Sequence, residues 1–170
     1  MRRLLSLLPA LAVLPAAAHA QAVATSRALW QQVTAQVTQI AEEVPESLYA
    51  FKPTPEVRSF GQLFGHIAGA QYLMCAAALG DPPREEDAVE RATTTKAGLV
   101  EALKASSAYC EKAYAQSDAA SGGMTRLFGE ERTRLYALGM NAIHNGEHYG
   151  NLVTYLRMNG IVPPASRPRQ

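Results

Sequence analysis

The chain has 170 residues, 48% of them apolar, enough for one domain with a real core. Its 16 basic and 15 acidic residues nearly cancel, so no basic field for nucleic acid exists and no acidic tail. It carries no dinucleotide fingerprint, no phosphate-cradling glycine loop and no C-x-x-C pair, which argues against nucleotide-dependent and thioredoxin-like chemistry.

Residues 1–20 read as a secretory signal peptide. Arg2 and Arg3 give the positive start, Leu4 to Leu14 a short apolar run broken by Pro9, and Ala18-His19-Ala20 the small-x-small cleavage pattern before Gln21. The expected location is therefore exported, either periplasmic or secreted. Removing the leader leaves 14 basic against 15 acidic residues. Nothing after residue 20 is long and apolar enough to span a bilayer, so no stable membrane insertion is expected after processing.

A first helix is predicted from Thr25 to Val44, where Leu29, Val33, Val37, Ile40 and Val44 recur every three or four residues. Thr25 or Ser26 would cap it, and Pro45 ends it. Pro53 and Pro55 make residues 45–58 a connector, in which the apolar Leu48-Tyr49-Ala50-Phe51 should pack over one end of the fold. A second helix is predicted from Ser59 to Leu79, closed by Gly80. Its glycines, Gly61, Gly65 and Gly69, cost helix propensity and would let a neighbouring helix approach closely.

Arg84 to Arg91 reads as a charged surface piece or a short helix. Thr93 to Tyr114 is predicted as the third helix, with Thr95 as cap; Ser117 to Gly123 as a loop; and Met124 to Gly129 as a turn or short extended piece. The fourth helix is expected from about Glu130 to Met158, stopped by Gly160. Four helices without a convincing strand run make an all-α fold, an antiparallel four-helix bundle spanning residues 21–162, followed by a flexible tail over 163–170. Cys75 and Cys110 fall in separate helices and either form a disulfide or stay as two buried thiols.

Apart from His19 in the leader, the histidines are His66, His144 and His148. Residues four apart stand one above the other on a helix, so His144 and His148 either grip one ion or, as such pairs often do, only serve surface or core packing; if an ion is held, His66 is the natural third ligand. Three imidazoles on one divalent ion with open positions is the arrangement of catalytic zinc. The H-E-x-x-H of zinc proteases is absent; Glu147, directly before His148, points away from the line joining the two rings. Asn141 and Asn151 lie near the same edge and either hydrogen-bond the free ring nitrogens or face water. Tyr149 and Tyr155, and more weakly Tyr72, Asn145 and Glu147, are chemical helpers only if they do not simply pack or face solvent.

The words F-G-H-I-A-G-A-Q-Y at 64–72 and H-N-G-E-H-Y-G-N-L-V-T-Y-L-R at 144–157, with the long gap between them, resemble the two signature helices of the DinB / YfiT-like family of metal-dependent four-helix-bundle proteins. The resemblance covers roughly residues 25–160. It implies a three-histidine metal site of His66, His144 and His148, a divalent ion such as zinc or nickel, and often a homodimer. Some relatives resemble thiol-dependent transferases or isomerases, and the family name implies no DNA chemistry. The expected function is thus a metal-dependent enzyme, a hydrolase or transferase using metal-activated water or thiol on an unknown small molecule. The alternatives are an exported protein that only binds metal or ligand, and an ion that only staples two helices.

Overall fold

The computed structural model describes residues 21–168. Its elements are α1 (Ala22–Glu43), α2 (Phe60–Leu79), α3 (Ala88–Ala92), α4 (Lys96–Tyr114), α5 (Asp118–Ser121), β1 (Met124–Leu127), β2 (Glu130–Thr133) and α6 (Arg134–Met158). The leader expected at 1–20, with His19, lies outside the described residues.

Local chemistry sets most helix ends. Ser59 and Gln62 form a reciprocal capping box at the start of α2, each side chain accepting from the other's backbone N–H. Gly80 closes α2 in the left-handed region, at φ 79°. Thr95 and Thr133 cap α4 and α6. The start of α1 departs from expectation. It begins at Ala22, not Thr25, because Asp118, nearly a hundred residues away, accepts hydrogen bonds from Val23 N (2.9 Å) and Ala22 N (3.3 Å). A carboxylate at a helix N-terminus satisfies orphan N–H groups and meets the positive end of the dipole.

Two further expectations are corrected. The loop expected at Ser117–Gly123 contains the short α5, capped by Ser117. The fourth helix does not begin at Glu130: residues 130–133 pair antiparallel with 124–127 as a hairpin. Phe128 and Gly129 form its two-residue turn, both at positive φ (52° and 81°), the geometry whose twist suits a tight hairpin. The hairpin is an appendage on an otherwise all-α bundle.

Helices α1 and α6 run one way and α2 and α4 the other. The Cys75–Cys110 disulfide (Cα–Cα 5.3 Å) and the Gln71–Ser106 hydrogen bond share one residue offset, so α2 and α4 are parallel neighbours. His66 against His144 and Arg58 against Tyr155 run in opposite order, so α2 and α6 are antiparallel. The disulfide resolves the two alternatives left open for the cysteines.

The core has two apolar lobes. One gathers Ile40, Phe60, Phe64, Leu99, Leu103, Leu152 and Leu156; the other Trp30, Met74, Cys75, Cys110, Tyr114 and Leu138. Tyr49 and Phe51 pack over the first lobe, with the Tyr49 hydroxyl donating to Ala41 O. Between the lobes each long helix contributes one buried polar residue: Thr34, Gln71, Ser106 and Asn145. Trp30 Nε1 donates to Gln71 Oε1 (2.8 Å), Gln71 Nε2 to Ser106 Oγ (2.9 Å), and Asn145 Nδ2 to Thr34 Oγ1 (3.0 Å). These bonds offset the desolvation of the layer. Residues 163–168 lie along the surface, with Arg167 paired to Glu43. No described helix is long and apolar enough to cross a membrane.

Candidate metal centre

The site lies between α2 and α6, level with the polar layer. Antiparallel packing brings His66 opposite the His144/His148 pair. Gly65 and Gly69 bracket His66 on α2 and leave a notch. A Cβ on Gly65 would lie 2.7 Å from Glu90 Cα, and one on Gly69 only 1.8 Å from Glu86 O. The element that approaches α2 through its glycines is therefore the backbone of residues 86–90, not a long helix as expected. The charged piece at 84–91 is likewise more than surface, since its acidic side chains reach the histidines.

The three ring nitrogens converge. Nε2 of His144 lies 3.1 Å from Nε2 of His66 and 3.1 Å from Nε2 of His148. The ligand atoms of all three residues fall within 4.8 Å of one another. Two nitrogens bound at about 2.0–2.1 Å and separated by this spacing subtend roughly 95–100° at the ion, between octahedral and tetrahedral values. The residues present therefore fit a divalent ion.

Asp87 Oδ1 lies 2.8 Å from His66 Nδ1. A carboxylate only accepts, so Nδ1 carries the proton and the Nε2 lone pair faces the cluster. That hydrogen bond is the main cause holding the Asp87 carboxyl below its usual range. Burial, with help from the neighbouring imidazoles and Arg58, pushes His144 down to about 3 and His148 down to about 4. Both rings are neutral at pH 7 and keep their lone pairs. Asn151, exposed on α6, places its side-chain amide 3.3 Å from His148 Nδ1; it turns the Nε2 lone pair toward the cluster only where the amide oxygen accepts from Nδ1–H. Around the rim, Arg58 bonds Glu90 (2.9 Å) and Asp87 (3.3 Å). Glu86 Oε1 lies 3.7 Å from His144 Nε2 and 4.0 Å from His66 Nε2.

The other residues singled out from sequence lie elsewhere. Asn141 is fully buried and donates to the Tyr114 hydroxyl, not to an imidazole. Asn145 belongs to the polar layer. The Tyr155 hydroxyl donates to Arg58 O, and its ring packs edge-on to Phe60. Tyr149 packs against the first lobe, Tyr72 lies against Tyr109 and Arg84, and Glu147 is exposed. Asp87, Glu86, Glu90 and Arg58 were not anticipated as site residues. Acidic residues at 85–87 and 90 follow a helix whose glycines, four apart, flank a histidine, but no local spacing aims them at the rings, and only packing brings them there.

Residues 29–152 match the family model described as the DinB superfamily. The fold is similar to the crystal structure of a DinB-like protein from Bacillus cereus ATCC 10987, with a TM-score of 0.70 at 15% identity over 82% of this chain and 93% of that one. It is also similar to the mycothiol-dependent maleylpyruvate isomerase, with a TM-score of 0.62 at 17% identity over 76% of this chain and 60% of that one. No protein of curated function matches the sequence.

Proposed function

The chain belongs to the DinB superfamily, and from that premise we propose that it is a divalent-metal-dependent enzyme acting on a small molecule, with His66, His144 and His148 as the ligands. The observation that carries this reading is the spacing of the three Nε2 atoms, 3.1 Å across each contact with His144. Zinc or nickel suits an all-imidazole set. The ion, when bound, supplies a Lewis acid that lowers the pKa of a coordinated water or thiol. The chain's own residues prepare that position. Buried His144 and His148 present neutral nitrogens, Asp87 fixes the tautomer and orientation of His66, and Arg58 holds Asp87 and Glu90 in place. Burial of His66 and His148 to 5% and 9% exposure keeps bulk water off the cluster.

Both metal-activated water and thiol chemistry are compatible with this arrangement, as hydrolase and transferase readings respectively. The thiol reading draws support from the mycothiol-dependent isomerase of similar fold. Export to the periplasm or medium is part of the proposal, and a buried disulfide suits an oxidising compartment. A homodimer is proposed from the exposed seam of α6, where Tyr136 and Ile143 alternate with Gly139, Gly146 and Gly150, whose Cβ positions are open.

The test is metal content. The purified protein should hold one divalent ion per chain, and His66→Ala should remove most of it. Full occupancy in a variant with all three histidines replaced by alanine would end the proposal. A thiol-transfer and hydrolysis panel on the loaded protein then separates an enzyme from the alternative, a metal- or ligand-binding protein without turnover.

A further inference from the structure

We infer that the Glu86 carboxylate is a fourth protein ligand of the ion, and that the notch at Gly69 on α2 exists to seat it; this rests on the metal-centre reading above. Two atoms each bound at about 2.1 Å to one ion lie no more than about 4.2 Å apart. Glu86 Oε1 meets that bound against two of the three rings, at 3.7 Å from His144 Nε2 and 4.0 Å from His66 Nε2, and lies farther than 4.0 Å from the His148 ring nitrogens, the gap that ion binding must close.

The neighbouring carboxylates have other partners. Glu85 pairs with Arg91, Glu90 with Arg58, and Asp87 with both His66 and Arg58. Among the described residues no lysine or arginine pairs with Glu86; its cationic-type neighbours are the two imidazoles. Three neutral imidazoles would leave two positive charges uncompensated in a largely buried site, and one carboxylate halves that charge.

The backbone explains why Glu86 can do this. Its carbonyl oxygen occupies the space a Cβ on residue 69 would need. An alanine there must push the segment outward by about 1 Å or more to regain normal contact, since a 1.8 Å approach is not tolerated. Such a push withdraws Glu86 from the rings. The Glu86 side chain is 33% exposed, so it marks the solvent-facing side of the centre. A substrate donor would enter there, beside Glu86 or in its place, as zinc sites admit a fifth ligand.

The experiment titrates cobalt(II) into the metal-free protein, reading affinity by chelator competition and ligand geometry by visible absorption. Glu86→Gln should weaken cobalt binding at least tenfold and change the spectrum. Gly69→Ala should do the same. Glu85→Gln, at an exposed position outside the cluster, should do neither. Wild-type affinity and spectrum in Glu86→Gln, with cobalt lost in His66→Ala, would overturn this inference and leave the metal centre standing. Failure of the unmodified protein to take up cobalt would overturn both. If Gly69→Ala does not fold, the Glu86→Gln readings decide alone.

Discussion

Acidification should destabilise the metal-free protein well before its carboxylates protonate. His144 and His148 titrate at about 3 and about 4 in the folded state, against about 6.5 in an unfolded chain. Between those limits the unfolded chain binds up to two more protons than the folded one. The stability conferred by two neutral buried rings is therefore fully present above pH 6.5 and lost as the pH falls toward 4 and 3. Each group costs about 1.4 kcal/mol per pH unit once below 6.5. At pH 5 both together cost about 4 kcal/mol as an upper figure, and about 3 kcal/mol once residual solvent contact of the rings is discounted. The depressed Asp87 carboxyl adds its loss only at lower pH, outside this window. The assay is urea unfolding with chelator present at pH 8, 6.5 and 5, followed by Trp30 fluorescence and circular dichroism. A His144→Gln/His148→Gln variant run in parallel removes the two groups and leaves the rest. The native sequence should lose about 3 kcal/mol more than the variant between pH 8 and pH 5. Equal losses would refute the argument that burial holds these rings neutral.

Asp87→Ala should weaken divalent-metal binding roughly 10- to 100-fold by chelator competition, and Asp87→Asn by less, because an amide oxygen still accepts from His66 Nδ1; unchanged affinity in Asp87→Ala would remove its orienting role. Replacing Cys75 and Cys110 together by alanine opens a loop of 35 residues and should cost about 4 kcal/mol in denaturant unfolding. A loss under about 1 kcal/mol would mean the helices alone set the α2–α4 pairing. Gln71→Leu strands Trp30 Nε1 inside the bundle, while Ser106 Oγ keeps its bond to Leu103 O, and should cost about 1–3 kcal/mol; a neutral result by thermal unfolding would show that the polar layer is not held through Gln71.

Elements with local causes were legible before any fold was known. The Thr95 cap, the Gly80 stop and the apolar period of the four long helices all act within a few residues of themselves. The same is true of the spacing of His144 and His148, which a helix turns into proximity. Where local cues pointed the wrong way, a distant group had intervened or a turn had been overlooked. Asp118 extended α1 by capping it across the fold. Phe128 and Gly129 turned Glu130–Thr133 back on 124–127 as a strand, where the pattern had suggested helix.

By itself the sequence determined the four apolar stripes, the two histidine words and the ends of most helices, because hydrophobic periodicity and capping are short-range. Tertiary structure decided which carboxylates lie beside the histidines. Nothing in the spacing of residues 85–90 places Glu86 and Asp87 against His66. That depends on a backbone segment packed into the space two glycines leave empty, and on α2 and α6 running antiparallel. Such contacts form only when distant parts of the chain share one volume, so their geometry is a property of the packed bundle.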